Sequence, residues 1–455
     1  MCIENKKILV IGLGVSGVAC VKGLNALNAQ ILVYDESPKE KLTERLNELE
    51  GIDAKYYFAN DDLNIGDVEL AIKSPGIKYD MPLIQKLNKK NIKVISDIEA
   101  SYMINKSTIV SITGTNGKTT TTTLIGEIIK ESGKKYKLTG NIGYGMFYDT
   151  LNAGSDEILV AETSSFQLAG TYNFKPHISV LTNISPDHLD FHNTIENYIE
   201  TKFNNVRNQD ENDYAILNYE DETIRNYSKN IKAKIIFFSA ERTLENGIFV
   251  KDGKMIYKNE NATSFIVDIS DIFIPGKHNV ENALAAAGAS IALGIKPETI
   301  ALVLKEFKGV EHRLEFSGEY NEVKFYNDSK GTNPDASIKA VQGIEKPIIL
   351  IAGGYDKKSK YDEFIDSFDN KVKALVLLGQ TADEIEKCAR KHGFDNIHRV
   401  CNMDEAVKKC FELSCKGDNV VLSPACASWG MYPNYEVRGK DFKERVKYYG
   451  ECTKS

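Results

Sequence analysis

No apolar run in this 455-residue chain approaches the ~20 residues needed to cross a bilayer. The N-terminus offers no secretory leader, because Lys6-Lys7 leads straight into Ile8-Leu9-Val10-Ile11 and then into glycines. The eight cysteines have no CxxC spacing, which excludes a zinc ribbon and a disulfide framework and reads as reduced cytoplasmic thiols. Proline is scarce, 11 in all, so linkers are short and domain borders are hard to see. An excess of positive charge is also missing. The net charge of −7 gives no electrostatic footprint for nucleic acid. These absences point to a cytoplasmic protein with neither membrane nor nucleic acid as partner, acting on small molecules; a monomer is expected.

What is present is an ordinary globular balance, 42% hydrophobic and 27% charged, with length for about three domains. Short apolar runs alternate with helix-like segments, the pattern of parallel sheets. The expected fold is α/β in three domains: a Rossmann-like N-terminal domain (1–97), a central P-loop-type ATPase domain with a parallel sheet (98–309), and a Rossmann-like C-terminal domain (310–455). Gly12-Leu-Gly14-Val-Ser-Gly17 lies between a strand and a helix. A second strand, Ile31 to Tyr34, ends in Asp35 about 20 residues on, placed for a ribose or base. A third strand, Val68 to Ile72, leads into Ser74-Pro75-Gly76. This domain fits NAD or another nucleotide-bearing ligand such as a UDP-linked substrate.

Ile109-Val-Ser-Ile-Thr-Gly-Thr-Asn-Gly-Lys-Thr-Thr carries the strongest signal. A buried strand ends at Thr113, Gly114 and Gly117 bracket Thr115 and Asn116, and Lys118, Thr119 and Thr120 open a helix. Such a loop aims backbone N–H groups at phosphates, with a lysine for the outer phosphates and a hydroxyl for Mg²⁺. Ile112 stands where the full P-loop pattern has glycine, so the loop is a shortened form. ATP binding is expected. A glycine-rich helix cap is the plain alternative, and an ATP-driven conformational change is a competing use. Two phosphate-binding signatures in separate domains argue against a simple dehydrogenase.

Several strand ends carry chemistry. Glu162 closes the strand Ile158 to Ala161 and can hold Mg²⁺ beside Thr119, or act as a helix-cap acid. His188 follows the strand Ile178 to Asn183 and is a candidate ligand, whereas His192 reads as structural. Ile195, Tyr198, Ile199, Phe203 and Val206 form a helical apolar stripe, and Lys202 lies inside it, within about 20° of Ile195. Snorkelling is the ordinary outcome. The alternative is a desolvated, neutral amine able to add CO₂ and bind Mg²⁺ as a carbamate. Asn279 and Asn282 start an alanine-rich helix and can cap it or reach an adenine. Arg313 follows a domain junction and can close on a phosphate or form a surface ion pair. Asp328, Lys330 and Thr332 crowd a strand end and read as a ligand loop. Lys357 and Ser428, after two further strands, suit a carboxylate. Cys426 reads as a packed small residue.

Gly114-Thr-Asn-Gly-Lys-Thr119, the Glu162 strand, Asn183 to His188, Lys202, His278-Asn279 to Asn282, His312-Arg313 and Asp328-Ser-Lys330 stand in the order of the Mur ligase family of cell-wall enzymes. The chain resembles that family over essentially its whole length, and Ser423-Pro-Ala-Cys-Ala-Ser428 with Tyr435-Glu-Val-Arg-Gly439 and Phe442 resembles its D-glutamate-adding branch. The resemblance implies ATP- and Mg²⁺-dependent joining of D-glutamate to UDP-N-acetylmuramoyl-L-alanine through an acyl phosphate, with domains closing on the substrates. It implies that Val15, Ser16, Asp35, Ser74 and Asn141 hold the UDP-substrate. It implies that Gly114 to Thr120, Asn279, Arg313 and Asp328 hold ATP. Thr119 and Glu162, and His188 with carbamylated Lys202, would hold two metals. Lys330, Thr332, Lys357, Ser428 and Tyr435 would surround D-glutamate. Glu36 and Tyr435 stand where relatives carry other side chains. Rival readings are a ligase for a different amino acid, a nicotinamide-binding dehydrogenase or sensor, and a nucleotide switch.

Overall fold

The computed structural model describes residues 3–59, 61, 63–143, 145–356 and 359–452, with the side chains of 190 and 335 left aside. Among the described residues, twenty strands form three sheets. The first sheet contains β1 (Lys7–Ile11), β2 (Gln30–Asp35), β3 (Ala54–Phe58), β4 (Leu70–Lys73) and β5 (Lys93–Ser96), in the order β3-β2-β1-β4-β5, all parallel. The second contains β6 (Thr108–Thr113), β7 (Lys135–Gly140), β8 (Glu157–Glu162), β9 (Ile178–Leu181), β10 (Tyr214–Asn218), β11 (Lys234–Ser239), β12 (Gly247–Lys251), β13 (Lys254–Lys258) and β14 (Thr263–Asp268). Its order is β14-β13-β12-β11-β10-β9-β6-β8-β7, with only the β12–β14 ribbon antiparallel. The third contains β15 (Glu315–Tyr320), β16 (Val323–Asn327), β17 (Ile348–Ala352), β18 (Val372–Leu377), β19 (Ile397–Arg399) and β20 (Asn419–Leu422), in the order β15-β16-β20-β17-β18-β19. There only β15 runs antiparallel.

The central strands are apolar without alternation because both faces are covered: β17 (IILIA) and β20 (NVVL) are buried throughout. In each sheet the strand order reverses beside one strand. β1 lies between β2 and β4, β6 between β9 and β8, and β20 between β16 and β17. Crevices at the carboxyl ends of such strands are where open α/β sheets bind ligands. The glycine loop, the phosphate loop and the Ser423–Ser428 segment follow those three strands.

Chain contacts define two compact units, Met1–Ile272 with Asn279–Glu306, and Phe273–His278 with Phe307–Ser455. The first unit contains both the first and second sheets. Phe147, on the helix Met146–Leu151, is buried in the core of the first sheet, and Gly23 leaves room for it. A Cβ at Gly23 would lie 2.5 Å from that ring. Ser96 N–H also donates to Gly170 O at 3.0 Å.

The structure shifts or adds some elements. The strand expected at 68–72 is Leu70–Lys73. β3, β5, β7, β10 to β15 and β19 have no counterpart among the strands read from the sequence, and of these β3, β14 and β15 are half-exposed. Among the described residues no helix is long and apolar enough to cross a membrane.

Candidate active site

The phosphate loop is held in shape by backbone freedom and by the next strand end. Gly114 and Gly117 have φ of 149° and 83°. Cβ atoms there would lie 2.0 Å from Thr182 Oγ1 and 2.2 Å from Asn282 Oδ1. Thr115 N–H donates to Asn183 O at 2.8 Å, Asn116 N–H to Asn183 Oδ1 at 2.9 Å, and Thr182 Oγ1 to Asn116 O at 2.6 Å. Helix Lys118–Glu131 begins at Gly117 with no side-chain cap, and a helix N-terminus suits an anionic ligand. Lys118 Nζ arches back over the loop and donates to Gly114 O and Thr115 O at 2.9 and 2.8 Å. Thr119 and Thr120 are buried at the helix start.

Glu162 ends β8, whose register sets it beside Ile112 of β6, two residues before Gly114. It is 3% exposed. Oε1 accepts from Asn141 Nδ2 at 2.9 Å, while the buried Oε2 has no hydrogen-bond partner. A buried carboxylate oxygen left unpaired costs free energy, and a cation is its natural complement. Asn141 N–H also donates to Glu162 O at 2.7 Å, so Asn141 orients this acid.

Lys202 does not snorkel. It is 1% exposed, donates from Nζ to Gly114 O at 2.8 Å and lies 4.7 Å from the Tyr198 ring centroid. Burial holds its pKa well below the lysine range, and the charge of Lys118 lowers it further while Asp187 opposes. Both effects work against the protonated form of this amine at the phosphate loop. His188 has a left-handed φ of 51° and its ring centroid is 4.7 Å from that of Phe166. Asp187 Oδ2 is 3.5 Å from its Nε2. His192 is buried, with Nε2 3.0 Å from Ser165 Oγ.

Asn282 Nδ2 donates to Asn279 Oδ1 at 3.2 Å, and Asn282 accepts from Thr121 Oγ1 at 3.4 Å. Asn282 therefore supports Gly117 from below, a role that the sequence did not distinguish from adenine contact.

In the first sheet, Gly12 O lies where a Cβ on Gly17 would fall, at 1.9 Å, so that glycine permits the close packing of loop and helix. Helix Val15–Ala26 starts without a side-chain cap, and Val15 is exposed. Asp35 accepts from Leu13 N–H at 2.7 Å and Ser37 N–H at 2.8 Å. It lines an open cavity of about 650 Å³ with Leu13, Gly14 and residues 40–45. Ser74 Oγ donates to Gly12 O at 2.8 Å.

The second unit gathers most of its expected residues at one sheet edge, because β16, β20 and β17 are adjacent and parallel. Asp328, 5% exposed, accepts from Ser423 Oγ at 2.7 Å and Leu314 N–H at 3.3 Å. Burial pushes its carboxyl up to about 6, against the hydrogen bond from Ser423 and the charge of Arg313. Arg313 Nε is buried without a hydrogen-bond partner. Lys330 Nζ is 5.8 Å from the Tyr435 ring centroid. Thr332 N–H donates to Lys330 O at 2.9 Å, and Ser428 is buried. Lys357 lies outside the described residues. Cys426 is buried, 3.2 Å from both Tyr361 OH and Thr381 Oγ1, and burial raises its thiol pKa, as suits a packed residue.

Arg438 is the residue that sequence reasoning passed over. It is 3% exposed and donates to Ser329 Oγ at 2.9 Å, Ser329 O at 2.8 Å and Cys426 O at 3.1 Å. It ties the 328–332 loop to the 423–428 segment, and burial lowers its pKa to about 10. The signal was available: Arg438, Phe442 and Val446 share the buried stripe of helix Tyr435–Cys452, the same anomaly that marks Lys202.

Comparison with known proteins identifies the family. Residues 6–96 match the Mur ligase MurD-like N-terminal domain, 112–290 the Mur ligase middle domain, and 312–426 the Mur ligase glutamate ligase domain. A UDP-N-acetylmuramoylalanine--D-glutamate ligase from Thermoanaerobacter sp. (strain X514) is 47% identical over 98% of this chain and 99% of its own. The chain belongs to the Mur ligase family. Two Mur ligases from Thermotoga maritima share the fold. The UDP-N-acetylmuramate-alanine ligase MurC aligns with TM-score 0.60 at 18% identity, over 97% of this chain and 99% of its own. The MurF ligase, solved in complex with ADP, aligns with TM-score 0.58 at 16% identity over 100% of both chains. The three-domain α/β Mur ligase fold is thus shared well beyond detectable sequence likeness.

Proposed function

We propose that this protein is an ATP-dependent ligase that joins D-glutamate to UDP-N-acetylmuramoyl-L-alanine, giving ADP and phosphate, in peptidoglycan precursor synthesis. The observation that carries the reading is end-to-end likeness, at 47% identity, to a relative bearing that activity as its name. The site chemistry supports it independently. An alanyl carboxylate is a poor electrophile, so amide formation needs activation. One of its oxygens attacks the γ-phosphorus of ATP, the bond to ADP breaks, and an acyl phosphate forms. The neutral amine of D-glutamate then adds to the acyl carbon, loses a proton, and phosphate leaves. The loop N–H groups of Gly114 to Thr120 and the Lys118 ammonium stabilise charge on the transferred phosphoryl group. Asn279, Arg313 and Asp328 serve adenine, phosphate and ribose. The unpartnered Nε of Arg313 favours an anionic ligand there.

Mg²⁺ fits the donor set, since Glu162 Oε2 is buried and unpartnered beside the loop. Thr119 with Glu162 would hold one ion, and His188 with carbamylated Lys202 a second, supplying positive charge to phosphate oxygens. The desolvated Lys202 amine supports the carbamate. Val15, Ser16, Asp35, Ser74 and Asn141 would receive the UDP-substrate, a reading supported by the uncapped helix and the cavity at Asp35. Lys330, Thr332, Lys357, Ser428 and Tyr435 would surround D-glutamate. Domain limits at 97/98 and 309/310, a monomeric state, and a cytoplasmic location without membrane or nucleic-acid partners complete the reading. The limits are supported by the first sheet ending at Ser96 and the third beginning at Glu315.

A phosphate-release assay tests the function. ATP, Mg²⁺ and UDP-N-acetylmuramoyl-L-alanine should release phosphate with D-glutamate and not with L-glutamate, L-alanine or a diamino acid. Release that is independent of D-glutamate, or amide formation without ATP, would overturn it.

A further inference from the structure

Lys73 ends β4 and is fully buried, 0% exposed. Its ammonium donates to the carbonyls of one turn: Ile77 O at 2.9 Å, and Ser74 O and Pro75 O at 3.4 Å each. The other side of that turn is fixed to the glycine loop, by Ser74 N–H on Ile11 O and Ser74 Oγ on Gly12 O, both at 2.8 Å. Two rings flank the ammonium, Tyr79 with its centroid at 4.6 Å and Phe191 at 5.7 Å. Phe191 sits on the short helix Leu189–His192 that directly follows His188, and its ring packs on Phe166 at 4.6 Å. The acid that opposes desolvation of the ammonium is Asp97, itself 1% exposed, with Ser16 beside it. Asp97 Oδ2 accepts from Gln167 Nε2 at 3.0 Å. Gln167 forms a capping box with Ser164, two residues beyond Glu162. Burial lowers the pKa of Lys73 to about 8, which marks how strongly the site is desolvated. An apolar side chain of similar length would fill the space without that penalty, so the donors themselves are the reason for a lysine here.

We propose that Lys73 is a positioning residue for the UDP-bearing substrate: its donors mould the Ser74–Ile77 turn that, with the N-terminus of helix Val15–Ala26, receives the diphosphate. This inference rests on the assignment of the first domain to that substrate. Lys73 acts through the turn and touches no reacting atom. Its contact with Phe191 also joins the turn to the segment that carries His188.

The test compares Lys73→Met, which keeps the stem and removes the donors, with Lys73→Arg, which keeps charge and donors. Titration calorimetry reads the affinity for UDP-N-acetylmuramoyl-L-alanine, and steady-state kinetics read KM for each of the three substrates. Lys73→Met should bind the UDP-substrate at least tenfold more weakly and raise its KM in proportion. KM for ATP and for D-glutamate should stay within twofold. Lys73→Arg should recover most of the lost affinity. A purely structural lysine would disturb all three KM values together, and that result overturns the proposal. So does unchanged UDP-substrate affinity in a folded Lys73→Met protein that wild type binds normally, an outcome that leaves the substrate assignment standing. Wild-type protein that fails to bind the UDP-substrate refutes the assignment and this inference with it. Should Lys73→Met not fold, Lys73→Leu, which likewise has no donor, carries the same comparison.

Discussion

At the scale of single residues, three basic side chains set in apolar surroundings organise this molecule. Lys202, Arg438 and Lys73 are each buried and each donates to backbone carbonyls of a ligand loop. Lys202 is the one whose chemistry is separable from its packing. Lys202→Ala should lower kcat by about 10²–10³, the loss typical of removing one group that stabilises transition-state charge. Formate or acetate should restore part of the rate by replacing the lost carbamate. Inactivity with no recovery would weaken the carbamate, while full activity would remove any role for Lys202. Asp328 gives a pH signature. Its carboxyl is raised from the usual 3.8 to about 6, so the folded state holds this proton more tightly than the unfolded chain does. The associated stability is complete below about pH 4 and is lost as pH climbs through about 6, a difference of roughly 3 kcal/mol at most. Asp328→Asn should flatten that part of the stability curve in urea titrations between pH 4 and 6. An unchanged slope would mean that another group sets it.

At the scale of elements, the phosphate loop and its helix are fixed by glycines at both ends of Lys118–Glu131. Gly117 and Gly133 share a left-handed φ, 83° and 76°, but only Gly117 has a neighbour within reach of a Cβ, Asn282 Oδ1 at 2.2 Å. Gly133→Ala should therefore cost only the backbone strain, about 1–2 kcal/mol in thermal stability, with KM for ATP unchanged. Gly117→Ala should add a rise in KM for ATP of about tenfold or more, because Asn282 must yield. Equal KM values in the two variants would dismiss the close approach. The same segment shows what a sequence makes legible. Strand, glycine loop and Lys-Thr stand in register within a dozen positions, so local chemistry announces the element. β17 and β20 were equally plain, since strands covered on both faces are apolar throughout. β3 and β15 escaped because each is half-exposed at a sheet edge, where partner strands and not composition decide the pairing. Lys202 was visible because periodicity placed it within a stripe. The partner of its amine, Gly114 O, is 88 positions away and follows only from the fold. Arg438 lay in a recognised motif, yet its links to Ser329 and Cys426 depend on β16 and β20 being neighbours.

At the scale of the whole molecule, the chain divides into two compact units that it crosses between at 272/273, 278/279 and 306/307. Units with separate cores need not melt in one step. The proposed UDP-substrate contacts, Val15, Ser16, Asp35, Ser74 and Asn141, all belong to the first unit. The described D-glutamate contacts, Lys330, Thr332, Ser428 and Tyr435, all belong to the second. A ligand that binds only the folded form of one unit stabilises that unit by RT ln(1 + [L]/Kd), about 2.7 kcal/mol at a hundredfold excess over Kd. Scanning calorimetry should accordingly resolve two transitions. UDP-N-acetylmuramoyl-L-alanine should raise one of them and leave the other in place, and D-glutamate alone should act on the other. An aspartate variant gives the assignment: Asp35→Ala should abolish the first shift and spare the second. A single transition that rises with either ligand would show that the two cores unfold as one, and shifts exchanged between ligands would reverse the substrate assignments.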